Sequence, residues 1–259
     1  MKRIITLLAL IVFASAAHAQ TDSLMTVDKE GINFNVAGFS VTLEGKNDPV
    51  KAKKRYRPYG TNVFGIKWGV TRMTDSPYYG RWADMGDFLS LSGKSNSVSI
   101  EPISWHVALD RKRFTWIQVG ANLTWDNYHF FNPKTLLNDK EGYLMPYHLE
   151  GDVKKTTMNT FYLGATFGLG FRIGNVKVGA NASPEVLCYA ESRYKDPKKH
   201  QAEIQGLNPI RLKAGVTMMV NSFGLYVDYG LTPVFKEGTG NDAHMASIGT
   251  DSDDGCARA

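Results

Sequence analysis

Charged residues occupy alternate positions inside several segments whose other positions are apolar. Between residues 210 and 218, for example, Arg211 and Lys213 alternate with aliphatic residues. Because successive side chains of a β-strand point to opposite faces, the charged side chains would share one face and the apolar ones the other. Such a face supports two kinds of chemistry: ion pairing in an enclosed space, or conduction of an ion.

The same alternation places further charged residues on the inward faces of predicted strands. Enclosed charges must be paired to offset their lost hydration, so we predict a salt-bridged network that fills the interior and holds the wall together. The alternative is a narrow, anion-leaning passage, with room left by Gly164, Gly168 and Gly170. The predicted network comprises Lys67, Asp126, Arg172, Lys177, Glu185, Arg211, Lys213 and Asp228.

No spacing of residues predicts catalysis, a metal site or a cofactor. The six histidines are scattered, and the two cysteines, Cys188 and Cys256, are far apart. A lipid-modifying enzyme would need a serine, a histidine and an acid at the loop rim, and it remains a further alternative. The histidines at or near that rim are His129, His148, His200 and His244.

The elements that must position these residues are amphipathic β-strands. The clearest runs from 117 to 125, where every odd-numbered residue is apolar. Eight such segments can be identified, and the connections between them alternate long, short, long, short, long, short, long. This pattern predicts an all-β fold: an eight-stranded antiparallel transmembrane up-and-down β-barrel with a short periplasmic N-terminal segment. The four long loops would be extracellular.

Two details refine the barrel prediction. The apolar parity of the second strand switches at Pro102, which predicts a bulge because proline cannot donate to the ladder. Outward aromatic residues gather near strand ends, as expected where rings settle at membrane interfaces. These residues are Trp105 and Phe171 towards the turns, and Trp125 and Tyr128 towards the loops.

The N-terminus predicts export. Residues 1–19 combine Lys2 and Arg3 with an apolar run and a small-x-small cleavage site, which is typical of a signal peptide. Residues 20–59 would be a periplasmic segment with a small hairpin; alternatively, residues 32–43 form a ninth barrel strand. Without the signal peptide the chain has 28 basic and 25 acidic residues, and such an even balance does not favour nucleic acid as a partner.

The barrel itself would span residues 60–250. Residues 251–259 would be an atypical polar tail, because such a sequence cannot lie on a lipid face and lacks a terminal aromatic residue. We therefore expect an altered or truncated C-terminus.

The layout resembles the PorT-like group of Bacteroidota outer-membrane barrels. The resemblance rests on Gly206-Leu207-Asn208-Pro209-Ile210-Arg211 and on residues 223–238, with their Leu-Thr-Pro-x-Phe stretch and following glycine-rich loop. It implies a location in the outer membrane of a Gram-negative bacterium and little about activity. The expected partners are outer-membrane lipid, the barrel-assembly machinery and a surface protein or glycan.

Aromatic residues on the long loops are candidates for contact with such a surface partner. Equally, they could pack on one another and cap the barrel, which we favour. The candidates are Tyr78, Tyr79, Trp82, Tyr143 and Tyr147. The sequence thus predicts a structural or surface-interaction role, without enzymatic activity.

Overall fold

The computed structural model of the protein divides into two units, Met1–Arg55 and Tyr56–Ala259. The predicted signal peptide and residues 254–259 of the predicted tail lie outside the described residues. Within the described part, no helix is long and apolar enough to cross a membrane. The described residues are 25–28, 31–36, 39–44, 59–62, 65–84, 88–110, 112, 114–132, 134–138, 144–149, 153, 155–196, 198–220 and 222–253.

The first unit contains a three-stranded antiparallel sheet in the order β1 (Met25–Asp28), β2 (Gly31–Val36) and β3 (Phe39–Glu44). The predicted small hairpin is confirmed as the pair β2–β3, in which Ile32 lies opposite Leu43. These strands pair with one another, so the alternative of a ninth barrel strand is wrong. The periplasmic location of this unit stays a prediction.

The second unit contains the barrel. Its strands are β4 (Tyr59–Asn62), β5 (Gly65–Met73), β6 (Asn96–Ala108), β7 (Thr115–His129), β8 (Lys134–Asn138), β9 (Leu144–His148), β10 (Lys155–Ile173), β11 (Val176–Asp196), β12 (Lys198–Glu203), β13 (Ile210–Val220), β14 (Phe223–Gly230) and β15 (Met245–Asp253).

Eight of these strands form a closed ring in the order β5, β6, β7, β10, β11, β13, β14, β15, and β15 pairs back with β5. Every neighbouring pair in the ring is antiparallel. The short β4 extends the first wall strand by pairing with β6. The predicted eight-stranded antiparallel up-and-down barrel is therefore confirmed.

Side chains alternate between the two faces of the wall as the sequence pattern predicts. On β5, Trp68 and Val70 are exposed outside, whereas Lys67 and Thr71 are buried inside. The same contrast runs around the ring and gives a continuous outer band of exposed apolar side chains. The inner face is lined mainly by polar and charged groups.

Two bulges shift this alternation. The register of β6 against β7 skips between Ile100 and Ile103, which confirms the bulge predicted at Pro102. A second shift lies between β10 and β11, where Tyr162 pairs with Leu187 and Cys188 is left over. The first bulge keeps the outer face apolar on both sides of the irregularity, and the second brings Tyr189 to the same outer face as Val186.

The strands β10 and β11 are longer than predicted. Their pairing begins at Lys155 and Lys195, and β12 continues the sheet by folding back along β11. The second and third long loops therefore contain hairpins, β8–β9 and β11–β12. Beyond the outer band of exposed apolar side chains both strand faces carry polar residues, so the apolar alternation that reveals a barrel strand is lost.

The final strand corrects another prediction. Residues up to Asp253 belong to β15, so the first three residues of the predicted polar tail belong to the barrel wall. The outward hydroxyls of Thr250 and Ser252 donate to the carbonyls of Trp68 and Ile66 on the adjacent strand. These hydrogen bonds satisfy the polar side chains on the outer face.

The apolar core lies at the loop end of the barrel. Trp82, at the end of a 3₁₀ turn (Gly80–Trp82), is fully buried and contacts Phe88 and Phe235 edge-on, with ring centroids 5.0 and 5.2 Å away. We call this cluster the loop cap. Its buried residues are Trp82, Phe88, Leu89, Tyr128, Phe130, Leu144, Met158, Ala190, Ile204, Leu207, Val234, Phe235, Ala243 and Met245.

Candidate functional site in the barrel lumen

Arg211 is the centre of the charged cluster below the loop cap. Its side chain is 2% exposed, its Nε donates to Glu185 Oε2 at 2.8 Å, and its Nη1 donates to Asp126 Oδ2 at 2.6 Å. The guanidinium also lies 3.7 Å from the ring centre of Tyr162. Strands β13, β11, β7 and β10 each contribute one of these residues, so a single arginine ties four strands together.

Lys213 and several neutral donors complete this cluster. The Lys213 ammonium lies 2.7 Å from Glu185 Oε1, and the Thr124 hydroxyl donates to the same oxygen at 2.9 Å. Asp126 accepts a 2.6 Å hydrogen bond from Ser97. Asp126 and Glu185 therefore each have a cation and neutral donors, which offset their loss of hydration.

A second charged group lies nearer the short turns. Lys67 is 3.8 Å from Glu101, which also accepts hydrogen bonds from Gln118 and Thr166. Asn122 donates both to Thr166 and to Glu185, and it thereby joins the two groups. The lumen thus holds one connected hydrogen-bond and ion-pair network.

The structure brings six of the predicted network residues into the lumen and leaves two outside it. Lys67, Asp126, Glu185, Arg211, Lys213 and Asp228 are buried. Arg172 and Lys177 face each other where β10 and β11 approach their turn; Arg172 is exposed and its Nε donates to the Gly174 carbonyl. Arg172 and Lys177 occupy the strand positions that alternate with apolar residues, as predicted, but they lie too close to the end of the barrel to be enclosed.

Two lumen acids were missing from the predicted set. Glu101 directly precedes the bulge at Pro102, where the inward direction was ambiguous. Asp251 belongs to the predicted tail, yet it is buried opposite Lys67 on β5. The enclosed charges are therefore three basic and five acidic. This excess of acid is the opposite of what an anion-leaning passage requires.

The space beside Gly164, Gly168 and Gly170, which the channel alternative requires to be open, is occupied by neighbouring side chains. A Cβ at Gly164 would collide with Asn122 and Glu185, and one at Gly170 would overlap the indole of Trp116. At Gly168 the side chain of Gln118 lies 3.3 Å from the same hypothetical atom. These glycines make space for inward side chains.

The loop aromatics pack on one another, as the favoured interpretation expected. Trp82 is buried, so its assignment as a surface contact is wrong; Tyr78 is half-buried and stacks on Phe88 at 5.2 Å. Tyr79 donates a 2.8 Å hydrogen bond to Asp242, which raises the pKa of its phenol. Tyr143 and the side chain of Tyr147 lie outside the described residues.

Tyr128, predicted to face outward near the loops, instead points inward. It is buried in the loop cap, and its hydroxyl donates to Asp126 Oδ2 at 3.4 Å. It lies at an even position of β7, where the side chains face the lumen. The other three predicted girdle residues, Trp105, Trp125 and Phe171, are exposed on the outer wall.

Rim histidines make packing contacts. The ring of His244 stacks on Tyr229, and its Nδ1 lies 2.8 Å from the Gly230 carbonyl oxygen. The ring of His200 stacks on Tyr194. His129 is buried, and the side chain of His148 lies outside the described residues.

The two segments that carry the family resemblance lie side by side. The Gly206 carbonyl accepts hydrogen bonds from the backbone of Lys236 and the hydroxyl of Thr239, and Leu207 pairs with Phe235. Leu207 and Phe235 belong to the loop cap. The motif therefore anchors the third and fourth long loops against the apolar core.

No protein-family model matches the chain, and no curated protein is similar to it in sequence. Among solved structures, the chain is similar to Ail, the attachment invasion locus protein of Yersinia pestis, with 10% identity and a TM-score of 0.35. The match covers 75% of this chain and 98% of that one.

Proposed function

We propose that the protein is a small outer-membrane β-barrel with a structural or surface-interaction role, whose lumen is filled by paired charged side chains. The observation that carries this proposal is the Arg211 cluster, in which buried ions link four wall strands. Such a network supports the wall from inside and occupies the space through which a solute would pass.

The outer surface supports a membrane location. The apolar side chains that face outward include large exposed residues on every wall strand, such as Trp105 on β6 and Phe167 on β10. A contiguous apolar surface of this extent is unfavourable in water and matches the lipid-facing band of outer-membrane barrels. Lipid and the barrel-assembly machinery would then be obligatory partners, and membership of the PorT-like group is part of the same proposal.

The exposed parts of the long loops would carry the surface interaction. The loop cap holds these loops at one end of the barrel, and the short turns lie at the other. With both termini in the periplasm, the long loops are extracellular, where a surface protein or glycan can reach them.

The first test is gel migration of the mature protein refolded in detergent micelles. A folded barrel runs faster unboiled than boiled, and we expect this shift. Planar-bilayer recordings of the same sample should then show no steady conductance. A stable conductance that changes with Arg211→Gln would instead favour the channel alternative, and the absence of any migration shift would contradict a detergent-resistant barrel.

Loop orientation is tested with single cysteines in a Cys188→Ser, Cys256→Ser background. A membrane-impermeant maleimide added to intact cells should label Lys199→Cys in the β11–β12 hairpin but not Lys112→Cys in the first short turn. Both should be labelled after lysis. The reverse pattern would contradict the proposed orientation.

A further inference from the structure

Two rows of side chains cross the outer surface of strands β7, β10, β11 and β12. The first, which we call the aromatic row, consists of Trp125, Phe161 and Tyr189, which lie opposite one another in the strand register. Trp125 and Phe161 stack with ring centroids 4.8 Å apart. Trp125 and Tyr189 are exposed, and aromatic rings on the outer face of a barrel mark the level of the membrane interface.

The second, the lysine row, lies further along the same strands. Lys155 is opposite Lys195, and Lys195 is opposite Lys199, so three ammonium groups come from three adjacent strands. Residues paired in this way share a face, and all three side chains are exposed. Adjacent strands are about 4.8 Å apart, so the row is about 10 Å wide.

The lysine row destabilises the sheet unless anions neutralise its charge. Like charges directly opposite each other on a sheet repel and destabilise it. Among the described residues, none of the three ammonium groups lies within 4.0 Å of a carboxylate oxygen. The nearby Arg193 differs, since it is paired with Glu191. Within the described residues, the lysine row therefore has no paired carboxylate to offset its repulsion.

Further positive charge adjoins the row. His129 lies beyond the aromatic row on β7, and burial lowers its pKa, as do the charges of Lys155 and Lys94. The Ser92 amide and the Ser95 hydroxyl donate to the His129 carbonyl, so the loop that carries Lys94 lies beside the end of β7. Lys94 thus adds positive charge on the β7 side of Lys155, away from β11.

The distance of the lysine row from the aromatic row indicates which kind of ligand can reach it. It lies six residues beyond the aromatic row on β10 and on β11, which is about 20 Å along a strand and about 15 Å along the axis of a barrel with strands tilted near 40°. Lipid headgroups at the aromatic level are too low to reach it. An anion carried on a saccharide above the membrane surface has the required height.

We propose that the lysine row binds phosphate groups on the saccharide of an outer-leaflet lipopolysaccharide, an inference that rests on the outer-membrane location proposed above. A lysine ammonium binds a phosphate as a point charge, so the three groups can contact several phosphates without a fixed geometry. The saccharide phosphates then supply the counter-charge that no described carboxylate gives these three ammonium groups. The surface interaction would thus include the glycolipid that surrounds the barrel.

The test uses the refolded mature protein in nanodiscs of zwitterionic phosphatidylcholine. Phosphorylated core oligosaccharide, released from lipid A, is titrated into the sample by isothermal titration calorimetry. A lysine near an anionic surface contributes roughly fivefold, so the triple variant K155Q/K195Q/K199Q should bind roughly 100-fold more weakly. The affinity of the wild-type protein should also fall as salt is raised.

The matched control removes three positive charges at the opposite end, in K112Q/R172Q/K177Q, and should bind like wild type. Equal losses in the two triple variants would overturn the inference, since net charge alone would then explain binding. Undiminished binding of dephosphorylated oligosaccharide, or no binding by the wild-type protein, would overturn it as well.

The migration shift on gels and insertion into nanodiscs are measured first on every variant. A wild-type protein that fails both steps contradicts the proposed function itself. A protein that passes both and binds with no dependence on the lysine row contradicts only this inference.

Discussion

Replacing Arg211 with methionine removes the cation that neutralises Asp126. In the structure Glu185 would keep Lys213 at 2.7 Å, whereas Asp126 would keep only neutral donors such as Ser97. Removing one partner of a buried ion pair destabilises a protein by about 3–5 kcal/mol, chiefly through the charge left behind. We expect a loss of that size, with most of it due to Asp126.

The double variant R211M/D126N separates the two contributions. It removes the stranded charge but leaves the Glu185–Lys213 pair, so it should regain about half or more of the lost free energy of unfolding. The exposed Arg172→Gln serves as the control and should change that free energy by less than about 0.5 kcal/mol.

The assay is equilibrium unfolding by urea in lipid vesicles, followed by tryptophan fluorescence in both directions and checked by gel migration. The urea midpoints of the three variants are compared, provided that the dependence of the unfolding free energy on urea concentration is the same for each. An R211M midpoint equal to that of wild type would refute the idea that the cluster supports the wall. A double variant no more stable than R211M would refute the assignment of the penalty to Asp126.

Three further perturbations test other parts of the structure. Gly215→Ala would place a Cβ against Asp228 Oδ1 and should lower the free energy of unfolding by about 1–3 kcal/mol in the same urea assay. Trp82→Ala should cost about 3–5 kcal/mol, and limited proteolysis should cut the long loops faster; an unchanged cleavage pattern would contradict the loop cap. A hydrogen bond from the Thr115 amide lowers the pKa of the Asp110 carboxyl below its ordinary value of 3.8. The stability that the ionised carboxylate contributes is therefore complete above pH 3.8 and is lost as the pH falls through the pKa of the folded state. Wild type and Asp110→Asn should thus have equal urea midpoints in strong acid, whereas wild type should be the more stable near neutral pH.

The wall strands could be predicted because lipid imposes a rule on them. Each residue between the membrane interfaces faces either lipid or lumen, so apolar and polar residues alternate, and even the switch at Pro102 was visible. The rule ends at the interface. The extension of β10 and β11 and the β12 hairpin lie beyond it, where side chains on both faces can be polar, so their pairing left no periodic signal.

Prediction of the lumen network depended on the same rule. Six of its charges followed from alternation, but their partners did not, because the sequence cannot show which inward residues of non-adjacent strands meet. Asp126 and Arg211 are bonded across the lumen and are 85 residues apart in the chain. Asp251 was missed because a polar residue at the end of a strand resembles a tail until its hydrogen bonds are known.

The closure of the ring by β5 and β15 has a consequence for folding. The hydroxyl of Thr250 donates to the carbonyl of Trp68, 182 residues earlier in the chain, so the first wall strand cannot find its second neighbour until almost the whole barrel has been synthesised. Contacts of such long range carry a large loop-closure entropy and fold slowly. Until then both edge strands expose unpaired backbone groups, which makes the unclosed chain a substrate for chaperones and a candidate for aggregation.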